Sequence, residues 1–359
     1  MSDLCVNYEE DELLESGSYS EPLIADGVRC HGGFDEAGEY RSPRTTHRAP
    51  AILAWQEQLR RDGHGLIEVD AALMPPQYPS VEQAKLLLRE GVNEPIVRAL
   101  TIISIVEGFG AIIRDVPVPK LDTMIVEPIA GTALAHLDKG LFEAHARDEA
   151  GHRDEGGHKQ MWEAARDLAL ENPKIPNDVL MRIMGRRAKR ERRRLAPELD
   201  VALERMLNTM ATVLAVEIFA RSIFDWGERL LSDPEVSAEP KRAGDMVRFI
   251  RTDESPHVEY LRTALAEVAA RTLRTADGGT MAGREIVDRL MHANLHALTT
   301  QRPKENRGDV REGLTAAVER AGGSVDLVEQ LDALEVTWTP PAATGFEPAT
   351  EAGSSAASA

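Results

Sequence analysis

The chain has 359 residues, a formal net charge of −18 and a sequence pI of about 5.1. Such a length can bury a sizeable core, and the acidic balance argues against nucleic acid or an anionic membrane as the main partner. Two cysteines, Cys5 and Cys30, cannot form a disulfide framework or a four-cysteine zinc or iron site. Because the sequence shows no signal-length apolar segment and no run of about eighteen apolar residues, we expect a cytoplasmic protein.

The first half of the chain predicts an irregular segment followed by helices. Residues 1–78 have no sustained hydrophobic period apart from a short helix near Pro50 to Arg61, and we expect this segment to cover the main domain. Ser80 predicts the cap of a helix of about twelve residues, and Pro95 begins a longer helix that runs to Arg114. Ala130 to Leu170 is predicted to be helical with breaks at its glycines.

The second half predicts two more long helices. One runs from Pro197 to Leu231, and the other runs from about Glu239 to Thr272 with a local kink at Pro256. Two or three further helices are expected within 276–335, and the Ala/Ser/Gly-rich tail at 336–359 is predicted to be disordered. No two-residue alternation is long enough for a strand, so the predicted fold class is all-α.

One motif in the chain indicates chemistry. Asp-Glu-x-x-His occurs at 148–152, 154–158 and 253–257. A single Glu-x-x-His is expected by chance in a chain with 10 histidines, but three copies that each follow an Asp are not. On a helix, positions i and i+3 lie on one face, so the Glu and His of one copy can reach the same metal ion.

Two further glutamates interrupt apolar helix faces. Glu107 lies within Ile-Ile-Ser-Ile-Val-Glu-Gly-Phe-Gly, and Glu217 lies within Leu-Ala-Val-Glu-Ile-Phe-Ala. A carboxylate at such a position is costly unless it is paired or bound to a metal. At about 1.5 Å per residue, the intervals from Glu107 to Glu149 and from Glu217 to Glu254 each fit a helical hairpin that brings its two ends to one level.

In its order of candidate ligands, namely Glu, Glu-x-x-His, Glu, Glu-x-x-His, the chain resembles the ferritin-like diiron-carboxylate superfamily. The resemblance spans about Pro95 to Thr272 and implies a ferritin-like four-helix bundle at 79–275 with additional helices. It also implies two iron ions, or a manganese–iron pair, with dioxygen as co-substrate. The implied ligands, which are also the implied catalytic residues, are Glu107 and Glu217 as terminal ligands, Glu149 and Glu254 as bridges, and His152 and His257. By the same resemblance, Asp148 and Asp253 are candidates to hydrogen-bond the histidine ligands.

The second helix leaves two alternatives open. Glu155 and His158 could replace Glu149 and His152, although the spacing favours the latter pair. His145 lies four residues before Glu149 and is either an extra ligand or a surrounding histidine. A family of bundle N-oxygenases that resembles the para-aminobenzoate enzymes has an extra histidine ligand, but on the last helix, where this chain has Ile250.

The leading expectation for function is a dioxygen-activating diiron oxygenase or oxidase that acts on a small organic molecule. It would draw on an external electron donor, with no nucleic acid or membrane partner, and a homodimer is one expectation for its assembly. The alternatives are a ferroxidase or iron-binding protein and a metal-free helical interaction protein. A rubrerythrin-like peroxidase is disfavoured because it needs a four-cysteine centre. The basic stretch Arg186 to Arg194 is either a docking site or, more simply, a solvated helix face.

Overall fold

A computed structural model describes residues 7–170, 173, 175, 194–323, 325–338 and 346–347. This part of the chain is mostly helical, which confirms the coarse fold class. The helices are α1 (Glu10–Leu13), α2 (Arg48–Arg61), α3 (Val81–Arg89), α4 (Glu94–Gly110), α5 (Leu121–Met124), α6 (Phe142–Ala150), α7 (His158–Leu170), α8 (Val201–Leu231), α9 (Pro240–Asp253), α10 (Ser255–Ala269), α11 (Gly283–His296), α12 (Arg302–Arg320) and α13 (Val325–Ala333). The strands are β1 (Glu21–Ala25), β2 (Val28–Phe34), β3 (Tyr40–Arg41), β4 (Glu68–Val69), β5 (Thr272–Arg274), β6 (Thr280–Ala282) and β7 (Phe346–Glu347).

Four helical rods pack together around the centre of the molecule. The rods are α4, the pair α6–α7, α8, and the pair α9–α10. Helix α4 packs on α7 and α6, α9 packs on both α7 and α8, and α10 packs on α8. Helix α2 precedes the four rods in the sequence and α11 follows them, and both pack on α10. Segments from before and after the bundle therefore complete its core.

Local sequence signals explain where several helices begin and end. Ser80 accepts a hydrogen bond from the Gln83 amide, and the Gln83 side chain returns one, which forms the capping box that begins α3. Asp200 caps α8, so this helix begins at Val201 and not at Pro197 as the sequence predicted. Helix α4 ends at Gly110, and a 3-10 turn over Ala111–Asp115 completes the predicted helix.

The predicted kink at Pro256 is a break between two helices. Helix α9 ends at Asp253 and α10 begins at Ser255, with Glu254 at the junction. Proline has no N–H group and cannot donate to the carbonyl four residues earlier, so the helical hydrogen bonding is interrupted here. The break places a candidate ligand at the point where the rod changes from one helix to the next.

The N-terminal segment contains strands that the sequence did not predict. Strands β1, β2 and β3 form an antiparallel sheet in that order, and β2 has four consecutive buried residues, Cys30 to Gly33. A strand buried in this way lacks alternation, so it escapes a search for two-residue periodicity. The sheet lies against the bundle, where the His31 amide donates to the Gly156 carbonyl at 2.9 Å.

The apolar core consists of two clusters, one on each side of the candidate ligands. On α8, Leu214 belongs to the first cluster and Phe224 to the second, and Glu217 lies between them. The α9–α10 rod repeats this arrangement, with Ile250 in the second cluster and Leu261 in the first. The fold therefore places its polar centre between two apolar regions.

Two helices of the described chain are long and apolar enough to cross a membrane, judged by length and composition alone. They are Glu94–Asp115 and Val201–Leu231, and about half of each window is buried inside the protein, 44% and 50% respectively. Core helices of globular proteins pass the same test, so this is weak support for a membrane span.

Several sequence predictions lie wholly or mostly outside the described residues. They concern the basic stretch from Arg186, of which only Arg194 is described, and the tail beyond residue 338 apart from Phe346–Glu347. Arg194 forms an ion pair with Glu204 on α8. The domain boundaries at 78, 275 and 335 remain predictions.

Candidate metal centre

Seven side chains from the four rods converge between the two apolar clusters. The three histidines are completely buried, and the four glutamate side chains are between 3 and 9% exposed. The seven residues are Glu107 of α4, His145 and Glu149 of α6, His158 of α7, Glu217 of α8, Glu254 at the α9–α10 junction and His257 of α10. Two groups of four within this set have ligand atoms within 4.8 Å of one another, so these buried residues could hold a metal ion.

The first group consists of Glu149, His158, Glu254 and His257, and Glu107 lies beside it, near His158. The Nδ1 atom of His158 lies 2.8 Å from Oε1 of Glu254, 3.3 Å from Oε1 of Glu149 and 3.9 Å from Oε2 of Glu107. Three carboxylates from three different rods therefore face one imidazole nitrogen.

The second group surrounds Glu217. Its Oε1 atom lies 3.3 Å from Nε2 of His145, and the same nitrogen is 3.8 Å from Oε1 of Glu149. His257 Nδ1 lies 3.2 Å from Oε1 of Glu149 and 2.7 Å from Oε2 of Glu254. Glu149 and His257 belong to both groups, so the two groups form one continuous cluster.

The second nitrogen of each histidine faces an oxygen outside the cluster. His257 Nε2 lies 3.0 Å from Oδ2 of Asp148, and His145 Nδ1 lies 3.1 Å from the Tyr260 hydroxyl. His158 Nε2 is 3.7 Å from Oδ2 of Asp253. A metal-binding histidine characteristically presents one nitrogen to the metal and hydrogen-bonds through the other, which fixes the ring and its tautomer.

Three polar atoms of the cluster residues are buried without a hydrogen-bond partner among the described residues. They are Nε2 of His145, Nε2 of His158 and Oε1 of Glu254. The Glu254 atom is only 2.8 Å from Nδ1 of His158, but the angles do not make a hydrogen bond. An unsatisfied buried polar atom is costly, and cations held in the two groups would satisfy Nε2 of His145 and Oε1 of Glu254.

The charge of the region also favours cations. Two aspartates, Asp148 and Asp253, are buried next to the four glutamates, and the buried cationic side chains beside them are Arg44 and Arg48. Six carboxylates and two guanidinium groups leave four negative charges when the histidines are neutral. Buried charges must be paired, and two divalent cations would balance these four.

The glutamate pKa values show how the cluster tolerates burial. Burial, together with the neighbouring carboxylates of Glu149 and Glu254, raises the pKa of Glu107 and of Glu217 well above the usual value. Burial would also raise the pKa of Glu254, but His158 and His257 outweigh it and hold that pKa well below the usual value.

The histidine pKa values also depend on the balance between burial and neighbouring charges. Burial lowers the pKa of a histidine, yet Glu254 and its neighbours reverse this and raise the pKa of His158 and of His257 well above the usual value. The pKa of His145 is lowered well below the usual value by burial and by His257. The raised pKa values of Glu107, Glu217, His158 and His257 favour the protonated forms of these groups, which lowers the buried negative charge, and a metal would displace such protons.

The structure places five of the six sequence-predicted residues in the cluster and leaves out His152. Helix α6 ends at Ala150, so Glu149 and His152 do not share a helix face, and the assumed geometry of this motif copy is wrong. His152 lies in a tight turn in which its amide and that of Glu155 donate to each other's carbonyls, at 2.9 and 3.1 Å. Its place is taken by His158, from the second copy of the motif.

Glycines explain why the tandem motif folds in this way. Gly151 has φ of +83°, a left-handed conformation that ends α6. A Cβ atom at Gly157 would lie 2.4 Å from the Asp148 carbonyl oxygen, so only glycine allows the chain to return so closely. The returning loop brings His158 next to Glu149, so one motif copy supplies the carboxylate and the other supplies the imidazole. Glu155 turns outward and pairs with Arg29 at 3.1 Å.

His145 is the residue whose role the sequence left open. It is completely buried, and its ring stacks on that of His257 with centroids 3.9 Å apart. Its Nε2 atom points toward Glu217, so His145 is one of the residues that could hold a metal ion. The spacing of His145 and Glu149, one helical turn apart, was the signal for this.

Four residues that contact the two buried aspartates were not predicted from the sequence. Arg44 and Arg48 pair with Asp148, and His31 and Tyr40 contact Asp253. All four lie in the N-terminal region that showed no periodicity. Only their long-range contacts identify them, and no local pattern encodes those contacts.

Comparison with known proteins finds no matching protein family, no matching curated protein and no matching solved structure.

Proposed function

We propose that the protein is a dinuclear metal enzyme that activates dioxygen and oxidises a small organic substrate. The observation that carries the proposal is the convergence of three buried glutamates and three buried histidines, with Glu107 beside them and the outer nitrogens of the histidines directed at Asp148, Asp253 and Tyr260. Mixed carboxylate and imidazole ligation suits iron or manganese, so two irons or a manganese–iron pair are the proposed cofactors.

The proposed ligand set divides between two metal positions. His158 and Glu107 serve the first position, and His145 and Glu217 serve the second. Glu149, Glu254 and His257 lie between them. A pair of redox-active metals held in this way, reduced by an external electron donor, would supply the electrons and the Lewis acidity that dioxygen activation requires.

The protein orients the ligands and excludes water. Asp148 fixes the ring of His257, and Tyr260 does the same for His145. Apolar clusters on both sides keep bulk water away, which strengthens electrostatic interactions within the site.

The glutamates are the cluster residues with measurable solvent exposure. Glu107, Glu217 and Glu254 have 9, 8 and 7% of their side chains exposed, whereas the histidines have none. Glu107 and Glu217 are each the sole charged residue in a fifteen-residue stretch, 99–113 on α4 and its following turn and 206–220 on α8. An apolar approach suits an uncharged organic molecule better than a hydrated metal ion, which supports an oxygenase or oxidase over a ferroxidase.

The arginine contacts weigh against a metal-free interaction protein. Such a protein would bury Glu107 and Glu217 against lysine or arginine. In the described part of the chain, neither glutamate has an ion pair with either residue type, and the buried arginines instead neutralise Asp148.

The proposal is tested by loading the protein with ferrous iron without oxygen, exposing it to dioxygen, and following the visible spectrum and oxygen uptake with a panel of small organic molecules. We expect a transient absorption band whose decay one class of organic molecule accelerates, with an oxidised product. Oxygen uptake that tracks only added iron, with no organic product, would instead identify a ferroxidase. The external electron donor remains a prediction, and a chemical reductant replaces it in this assay.

A further inference from the structure

The aspartate before Glu254 is held by the N-terminal sheet. Oδ2 of Asp253 lies 3.0 Å from Nε2 of His31 in β2 and 2.7 Å from the hydroxyl of Tyr40 in β3. Asp253 and His31 are both about 1% exposed. A segment that lies outside the bundle therefore supplies two polar contacts to a residue next to a proposed ligand.

Arg44 determines which nitrogen of His31 carries the proton. Its Nη2 atom lies 3.3 Å from Nδ1 of His31, and a guanidinium group can only donate. Nδ1 is therefore the acceptor, and Nε2 carries the hydrogen that His31 donates to Asp253. His31, Asp253 and His158 are close enough together to suggest a metal site, but in this tautomer Nε2 of His31 donates to Asp253 and has no lone pair to offer a metal there.

On its other side, the Asp253 carboxylate faces His158. Nε2 of His158 is 3.7 Å from Oδ2 of Asp253, which is too long for a hydrogen bond. This nitrogen and Oδ1 of Asp253 are both buried without a hydrogen-bond partner among the described residues. When Nδ1 of His158 binds a cation, the ring proton resides on Nε2, where Oδ2 of Asp253 is the carboxylate oxygen that faces it.

Arg44 links His31 to the other buried aspartate, Asp148. Its Nε atom donates to Oδ1 of Asp148 at 2.6 Å, and its backbone has φ of +50°. A left-handed conformation at a residue other than glycine costs about 1 kcal/mol or more and persists where the surroundings impose it. Here its backbone amide donates to Ser16 Oγ at 2.9 Å, and the guanidinium group lies between Asp148 and His31.

We propose that His31 is a positioning residue for the metal centre, which it serves through Asp253 and His158. Its Nε2–H group fixes the Asp253 carboxylate, which in turn holds His158 in its ligand orientation. The N-terminal sheet thus helps to orient a ligand of the metal centre. The inference rests on the metal binding in the proposed function and adds a residue that touches no metal.

The test is a cobalt(II) titration of the full-length chain, followed by its visible absorption. We expect His31→Phe to weaken one of the two cobalt sites about tenfold to a hundredfold and to alter its absorption bands, while the other site is unchanged. His31→Gln keeps a donor for Asp253 and an acceptor for Arg44, so most of the lost affinity should return. A purely structural role for His31 would not select one metal site.

His136 provides a matched control. It is also a buried histidine, 4% exposed, and its contacts are the Tyr8 amide and the Thr132 carbonyl, away from the cluster. His136→Phe should lower thermal stability and leave both cobalt affinities unchanged. Tyr40→Phe removes one donor to the same Asp253 oxygen and should weaken the same site by about a few-fold, whether or not His31→Phe folds.

The outcomes are distinguishable. Two normal cobalt sites with unchanged spectra in His31→Phe, or in Tyr40→Phe if the first variant does not fold, would overturn the role of the N-terminal sheet and leave the proposed function intact. A wild-type protein that binds no cobalt would overturn both.

Discussion

Asp148 accepts a hydrogen bond at 3.0 Å from Nε2 of His257, although the two residues belong to different motif copies that are 109 positions apart. Arg44 and Arg48 hold the pKa of Asp148 well below the usual value despite its burial, so the carboxylate is ionised and the imidazole is the donor. Asp253 faces His158 from the equivalent position, but at 3.7 Å. Each aspartate thus lies beside the histidine of the other motif-bearing rod.

Asp148→Asn should impair both the fold and the site. The substitution leaves two buried guanidinium groups without their carboxylate, and breaking such pairs typically costs about 3–5 kcal/mol. It also removes the ionised acceptor of His257, which should weaken metal binding about tenfold to a hundredfold. Chemical denaturation and metal titration measure the two effects separately. A variant with wild-type stability and affinity would mean that Asp148 does not orient His257.

The tandem motif offers a paired test of its two histidines. His158→Ala should abolish binding at one metal position, because His158 is completely buried among three carboxylates. His152→Ala should leave both metal sites intact, because His152 lies in the turn outside the cluster. Metal content after dialysis compares the two variants. Loss of metal in His152→Ala but not in His158→Ala would reverse this assignment.

Two glycines on α4 provide a second paired test. A Cβ atom at Gly110 would lie 2.6 Å from Cγ and 2.9 Å from Oε2 of Glu149, so Gly110→Ala should displace this carboxylate and lower metal affinity by at least about tenfold. At Gly108 the added atom would meet only the flexible side chain of Lys159, 2.9 Å away. Gly108→Ala should gain up to about 1 kcal/mol of helix stability and keep its metal. Equal metal affinities in the two variants would contradict the close approach of Glu149 to α4.

The stability of the metal-free protein should fall as pH rises. The pKa of Glu107 is raised above its unfolded value of about 4.3, so its contribution is fully present below that pH and is lost as pH rises through the folded pKa. Raised pKa values at His158 and His257 act in the same direction above about pH 6.5. Thermal melts of metal-free protein between about pH 7 and pH 9 should show this decline. Below about pH 6.5 the opposite effect enters, because burial lowers the pKa of His31, His136, His145 and His152.

Glu107→Gln is the control for this pH dependence. The amide keeps the shape of the side chain and does not titrate, so the metal-free variant should lose less stability than the wild type over the same range. Added metal should remove the decline in the wild type, because the cation replaces the displaced protons. A wild-type protein whose stability is independent of pH and metal would show that folding does not raise the pKa values of these groups.

The sequence predicted the parts of this structure that have a local signature. Glu107 and Glu217 were identifiable because a carboxylate on an apolar helix face needs a partner, and Glu254 with His257 had the required spacing. His152 was chosen on spacing that assumed an unbroken helix, whereas Gly151 and Gly157 end α6 and return the chain. His31 and Arg44 reach the site through tertiary contacts, and hydrophobic periodicity in the sequence does not indicate such contacts.

An anaerobic titration of the metal-free protein with ferrous iron, in which bound iron is measured per chain, tests the dinuclear centre itself. We expect saturation at two irons, and the loss of most of this binding in Glu107→Ala and Glu254→Ala. If the wild-type chain binds no iron or manganese, or if both variants still bind two metals and consume oxygen as the wild type does, the proposed centre is wrong.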